Sequence, residues 1–433
     1  MLRTVQNIWK VEDLRKRILF TLFILLIYRI GSFVPVPNIN KDALEAANQQ
    51  GSDLFGLLNT FSGGALFHFS IFALGIMPYI TASIIVQLLS MDVIPKFTEW
   101  QKEGENGRRK LAQVTRYGTV ILGLVQAFAT TIGFNRIYNQ EMIIDANAAT
   151  ITMITIVLTA GTAFLMWLGE QINEKGIGNG ISILMFAAIV SRIPQYARDI
   201  YQSEFINSDQ VFLSIVKLVV ILIVIILIIA GVIYVQQGVR KIPVQYAKRV
   251  VGQKMYGGQT THIPLKVNAA GVIPVIFASS LLMFPITIAN IWGSSHDWAK
   301  WISSNLNYDK PLGMVFYVLL IIGFTFFYTF VQFNPQQMAD NMKKNGGYIP
   351  GIRPGKPTQG YLMKLLTRIT LAGAIFLALI SVLPVVFAAA ANLPRSVSLG
   401  GTSLLIVIGV ALETMKQIES QLIKRHYKGF INK

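Results

Sequence analysis

Apolar runs of near twenty residues, separated by short polar segments, recur along the whole chain. A helix of about twenty apolar residues crosses a hydrocarbon core about 30 Å thick. The pattern predicts ten helical spans, at 18–35, 61–90, 115–134, 150–169, 180–196, 212–234, 269–290, 312–333, 369–389 and 400–419. A charged stretch, Met1 to Arg17, precedes the first, and Leu19 to Ile27 imitates the apolar part of a signal peptide. No small-residue cleavage site follows, so the expectation is a retained span. The last two spans are separated by a short turn from Asn392 to Gly400.

The second run is too long for one straight crossing. Its thirty residues would make a helix about 45 Å long. Gly63 and Gly64 lie near its start, and Gly75 and Pro78 mark a second weak point. Proline lacks a backbone donor and favours a kink. The expectation is a short half-helix near 61–70, then a full crossing from about 75. Irregular backbone at membrane depth needs protein or water around it, which puts the break beside a cavity. A tilted, kinked packing helix is the plainer alternative. Ten spans also divide as five plus five. An odd number per half sets the halves in opposite orientation about a pseudo-two-fold axis in the membrane plane.

Composition agrees with a membrane protein. Of 433 residues, 53% are hydrophobic and 14% charged, against about 25% charged in soluble domains. The formal net charge of +17 raises the question of nucleic acid, but its distribution points elsewhere. Of the 38 Lys and Arg, 29 fall in the two tails and the segments after spans 2, 4, 6 and 8, counting span-end residues with the adjoining segment. The other side carries 7, and Arg29 and Lys217 lie within spans. The acids divide 11 against 10. Lys and Arg set orientation, so both termini are expected in the cytoplasm. Anionic lipid attracts such a face. Two basic segments, 236–267 and 334–368, are larger than a topology signal needs. The first holds six Lys or Arg and no acid.

Catalytic chemistry is hard to place. With no cysteine, there is no disulfide and no thiol-bound metal. His68, His262, His296 and His426 show no ligand spacing. The chain carries no Walker loop, HExxH or GxSxG. Span interiors hold almost no acid of the kind an ion-coupled pump uses. No catalytic residue, metal or cofactor is expected, and energy must come from elsewhere.

Two sets of span residues are candidates for a pore. Ile76 and Ile80 share a helix face, as do Ile181 and Met185, and Ile276 and Ile406 lie in spans 7 and 10. Spacing alone fits core or lipid-facing positions. Facing a narrow water path, the same side chains would make it dewet and seal. Ser83, Gln87 and Asn268 are placed to hydrogen-bond between helices, either as simple glue or as a seam that parts.

Eight stretches tie these features together: RIGSFVPVP (29–37), FSGGALF (61–67), FALGIMPYITASIIVQLL (72–89), EGENGRRK (103–110), FLMWLGEQINEKGIGNGISI (164–183), THIPLKVNAAGVIPVIFASS (261–280), NPQQMADNMKKNGGYIPGIRPG (334–355) and GGTSLLIVIG (400–409). Through them the chain closely resembles the SecY/Sec61 alpha family, the central subunits of protein-conducting channels. The resemblance implies an all-α membrane protein with ten transmembrane helices. They form two pseudo-symmetric, inverted five-helix halves, 1–200 and 201–433, around an hourglass pore. Ile76, Ile80, Ile181, Met185, Ile276 and Ile406 would form the pore ring, Met185 replacing the usual isoleucine. Phe61, Ser62, Gly63, Gly64, Ala65, Leu66 and Phe67 would form the plug. Ser83, Gln87, Asn268 and Phe277 would lie at the lateral gate, where spans 2 and 3 meet spans 7 and 8. Arg240, Lys241, Lys248, Arg249, Arg353 and Lys356 would meet the motor ATPase SecA or the ribosome.

The implied partners are SecE, SecG, SecA, ribosomes, signal sequences, unfolded preproteins and anionic membrane lipid. The implied place is the bacterial cytoplasmic membrane. The implied activity is passage of unfolded chains across it and lateral release of apolar segments into lipid, with no bond made or broken by the channel. Two rivals belong to other classes: an inverted-repeat secondary transporter of a small solute, and a scaffold whose loops only dock partners.

Overall fold

The computed structural model describes residues 11–40, 59, 61–91, 93–137, 142–206, 211–246, 249–251, 254–256, 260–292, 296–307, 310–390 and 395–431. Helices dominate. Helix α1 spans Glu12–Gly31, with Glu12 and Asp13 in its first turn and Arg29 in its last. Both placements suit the helix dipole. After an irregular stretch come α2 (Met77–Leu89), α3 (Pro95–Lys102), α4 (Glu105–Ile137) and α5 (Ala148–Lys175). Next are α6 (Gly180–Val190), α7 (Ile193–Tyr201), a π-turn at Gln202–Ile206, and α8 (Val211–Gln237).

The second part continues with α9 (Ile273–Trp292), α10 (Asp297–Asn305), α11 (Pro311–Gln332) and α12 (Pro335–Lys344). It ends with α13 (Lys356–Ala390) and α14 (Arg395–Ile431). Among the described residues, six helical stretches are long and apolar enough to cross a membrane: those of α4, α5, α6 with α7, α8, α11 with α12, and α13. Two apolar helices, Met77–Leu89 and Ile273–Ile286, are shorter. Several expected boundaries move outward, since α13 begins at Lys356 and α14 runs on to Ile431. Hydropathy marks only the buried middle of a helix that continues past the membrane.

The first basic segment is not plain loop, so a strictly all-α description needs correction. Strands β1 (Val239–Tyr246) and β4 (Thr260–Lys266) pair antiparallel from Val239↔Lys266 to Gln245↔Thr260. Between them, β2 (Arg249–Val251) pairs with β3 (Lys254–Tyr256). The short β5 (Gly347–Tyr348) adds to β1 through Gln245↔Tyr348 and Tyr246↔Gly347. The alternation along β1 explains the sheet: Ile242 and Val244 are buried while Arg240 and Lys241 face out. Ile242, Val244 and Leu265 share a small core with Met342, Ile349 and Leu362. The sheet therefore ties the two basic segments into one platform.

A larger apolar core runs through the bundle and draws on α1, α2, α5, α6, α8, α9, α11, α13 and α14. Outward faces stay apolar too. Phe212, Leu222, Ile226 and Leu227 of α8 are exposed, as expected of a helix meeting lipid.

Candidate functional site

The six expected ring positions belong to one extended apolar cluster or pack against it. Ile76 is the N-cap residue of α2, and the Ile80 N–H donates to its carbonyl at 3.1 Å. On α6, Ile181 and Met185 lie four apart. Asn179 fixes that helix start, its side-chain oxygen accepting from the N–H groups of Ile181 and Ser182. Ile276 lies in the first turn of α9 and Ile406 inside α14. Ile76, Ile80, Met185, Ile276 and Ile406 are buried in one apolar cluster, and Ile181 packs against it. The cluster also holds Phe61 and Ala65. Burying each such side chain contributes roughly 1.5–3 kcal/mol, so the packed arrangement is the stable one without a guest.

On the side of the sheet, the waist meets a cavity of about 410 Å³. Asn179, Ser182, Gln236, Lys266, Glu413 and Lys416 give it polar walls, and Val272 of the apolar cluster reaches it. Phe61 and Ala65 of the cluster belong to residues 61–70. This stretch was expected as a half-helix, and the structure corrects this. Residues 62–69 form successive turns. Gly63 (φ +67°) and Gly64 (φ +88°) are left-handed, a conformation that ends a right-handed helix. Gly75 (φ +57°) makes the second break. Pro78 does not kink α2. It sits at the helix start, where its missing N–H costs nothing.

The expected plug residues are packed on both sides. Phe61 and Ala65 join the waist cluster, while Leu66 joins a second core with Phe69, Phe134 and Ile154. Ser62 and Gly63 are buried, Gly64 is half-buried, and Phe67 lies beside Arg192.

The contact of α9 with α2 and α4, where a seam is expected, is less polar than expected. Helix α9 packs against α2 and α4. Gln87 donates to Ser83 on its own helix at 3.3 Å, and Asn268 donates to the Gly271 carbonyl at 2.9 Å. Both bonds are local, so they do not bridge the seam. The Gln87 Oε1 and Asn268 Oδ1 atoms stay buried without a partner. Phe277 stands edge-on to Phe324 and Tyr328 of α11, within the second half. One contact that does cross is Ser280 Oγ to Met77 Sδ at 4.0 Å, and sulfur is a weak acceptor. Beside it Thr81, Gln126 and Thr130 line a cavity of about 20 Å³. Sequence reading missed this group; Gln126, an amide in the apolar run of α4, was the available signal.

Four of the platform residues, Arg240, Lys241, Arg353 and Lys356, are exposed. Arg240 and Lys241 face out from β1. Arg353 sits in a turn between Gly351 and Gly355, and its carbonyl accepts from Thr358 Oγ1 at 2.9 Å. Lys356 opens α13 and is exposed. Arg249 lies in β2, and Lys248 falls outside the described residues.

A family model described as SecY matches residues 70–415. A protein of Halalkalibacterium halodurans named protein translocase subunit SecY is 58% identical over 432 residues, covering 100% of both chains. This chain belongs to the SecY family. The fold agrees. A structure described as that of a protein conducting channel has a TM-score of 0.62 at 18% identity, covering 94% of this chain and 92% of that chain. The idle yeast Ssh1 complex bound to the yeast 80S ribosome gives 0.63 at 17% identity, covering 92% and 89%. SecY proteins are channel subunits rather than enzymes, and so is this chain. The SecY model begins at Ser70, so residues 61–67 lie outside its match, whereas the full-length relative spans them.

Proposed function

We propose that this SecY chain passes unfolded secretory polypeptides across the bacterial cytoplasmic membrane and releases apolar segments sideways into lipid. The observation that carries the reading is an apolar cluster shared by both parts of the chain, which reaches a polar cavity and takes in Phe61 and Ala65 of the expected plug. Greasy side chains make no directional bonds, so they yield to many sequences and close again behind them. In this reading ten helices form two inverted halves, 1–200 and 201–433, around an hourglass. Both termini and the sheet platform face the cytoplasm. Six apolar helices and the fold shared with protein-conducting channels support it.

Energy comes from partners. SecA or a translating ribosome would engage Arg240, Lys241, Lys248, Arg249, Arg353 and Lys356. Guanidinium groups suit both phosphate and carboxylate, and the basic face suits anionic lipid. SecE and SecG would complete the channel around the exposed apolar helices. A signal sequence would part α9 from α2 and α4, where the Ser280 hydroxyl meets only the weakly accepting Met77 sulfur. Lateral sorting is then thermodynamic. A central Lys or Arg costs about 2.5–3.5 kcal/mol in lipid, against about 0.3–0.6 gained per Leu, Ile, Phe or Val. The solute-transporter reading finds little footing. Among the described residues the only charged side chain classed as buried is Arg192, beside the plug.

Replacing Ile76, Ile80 and Ile276 together with alanine tests the seal. Each truncation removes at least about 2 kcal/mol of packing, and about 1.4 kcal/mol is already tenfold. Resting ion conductance in planar bilayers is expected to rise at least about tenfold. An unchanged conductance, in protein that still translocates, rejects the ring assignment.

A further inference from the structure

Two arginines beside the plug have no role in the scheme above. Arg29 ends α1, and its Nη1 donates to the Gly63 carbonyl and to Ser191 Oγ, each at 3.1 Å. Ser191 in turn donates to the Ala188 carbonyl at 2.7 Å. Next to Arg29, the buried Tyr28 hydroxyl donates to the Ser62 carbonyl at 3.0 Å. Arg192 follows α6 and is 6% exposed. Its guanidinium carbon lies 5.4 Å from the Phe67 ring centroid and 5.1 Å from that of Tyr196, and its Nε is buried without an acceptor. Among the described ion pairs neither arginine meets a carboxylate. Both positive charges are therefore spent on plug carbonyls and aromatic faces, where low dielectric strengthens them.

We infer that Tyr28, Arg29 and Arg192 form a latch that fixes the plug to the first half of the channel. The inference rests on reading residues 61–67 as the plug. The backbone supports the same attachment. The Val36 N–H donates to the Phe69 carbonyl and the Ile71 N–H to the Val34 carbonyl, each at 3.0 Å. Gly63 completes the fit. A Cβ there would lie 3.0 Å from the Ala188 Cα and 3.1 Å from the Tyr28 hydroxyl, at a φ of +67°. Each of these ties comes from residues 28–36 or 188–192. Phe61 and Ala65 belong, by contrast, to the apolar cluster that also holds Ile276 and Ile406, and such packing is non-directional. When the halves part, the apolar contact is lost first and the plug stays with the first half. Release is a second step, governed by the latch. These three residues thus set how readily a guest displaces the plug once the seam is open.

The chain has no cysteine, so Ala65→Cys, at a fully buried plug position, gives a single thiol whose maleimide labelling reports plug release. In membranes with the complete channel, Tyr28→Phe or Arg29→Gln is expected to speed that labelling by about tenfold or more, the worth of one lost charge-assisted or buried bond. Arg29→Lys, which keeps a charged donor, is expected to fall between wild type and Arg29→Gln. Tyr28→Phe removes one oxygen and guards against an Arg29 variant that fails to fold. Ala378→Cys, buried on α13, reports general loosening. An unchanged rate at position 65, or equal acceleration at position 378, overturns the latch. Deleting residues 61–67 tests the plug itself. If resting conductance then stays at the wild-type level, the plug reading falls and takes the latch with it. If conductance rises while the point variants label no faster, the latch alone is wrong.

Discussion

Joining α2 to α9 stops export. With Met77→Cys and Ser280→Cys the chain carries two thiols and no others. Their parent side chains touch across the seam at 4.0 Å. A short, reducible bifunctional thiol reagent between them holds the halves together without filling the waist. Translocation of a preprotein into vesicles is expected to drop to background and to return on reduction. The reversal separates a locked gate from a misfolded one. The physical ground is the weakness of the natural seam. Interhelical hydrogen bonds in membranes are worth roughly 0.6–2 kcal/mol, and the contact from Ser280 to Met77 here is to sulfur. Such a seam opens readily, and a covalent tie exceeds anything a signal sequence can supply. Full activity with the link in place would reject opening between these helices.

Reversing Arg353 to Glu is expected to cut SecA-driven translocation by roughly thirtyfold or more, the worth of a lost charged interface contact. The fold should not notice. Arg353 is exposed, and the structure uses its backbone carbonyl rather than its charge. Surface changes of this kind stay within about 0.5 kcal/mol of stability. The position is set by the platform, because β5 joins the Arg353 segment to β1 and so to Arg240 and Lys241. One rigid surface then presents guanidinium and ammonium groups together. Vesicle translocation with SecA and ATP, beside membrane yield of the variant, checks both halves of the claim. Normal translocation would remove Arg353 from the coupling.

Much of this arrangement can be read in the chain, for identifiable reasons. Long apolar runs located α4, α5, α8, α11 and α13, because a membrane helix must be apolar over its whole buried length. Their ends were less visible, since the residues past the lipid boundary continue the helix in polar composition. The platform sheet was missed because its strands are short and carry their alternation over few residues, as at Ile242 and Val244. The doublet of Gly63 and Gly64 correctly marked irregular backbone. A glycine pattern gives no handedness, however, so the turns were taken for a half-helix. Pro78 was misjudged for a related reason: the same residue kinks a helix interior and begins a helix start. Ser83, Gln87 and Asn268 make their hydrogen bonds on their own segments, and the Gln87 and Asn268 carbonyl oxygens stay without a partner, so polar residues in a span do not by themselves mark an interhelical bond. The ring positions came from family resemblance, because isoleucines in a waist and isoleucines in any core share one spacing.

The most direct test follows a polypeptide in transit. A photo-reactive residue at position 80 or 276, within the waist cluster, faces a secretory chain stalled halfway by a folded domain at its end. A matched probe at Leu222 points outward from α8. The account predicts strong cross-links from positions 80 and 276 to the stalled chain and none from position 222. Cross-links absent from the waist, while the chain is demonstrably stalled across the membrane, would contradict it.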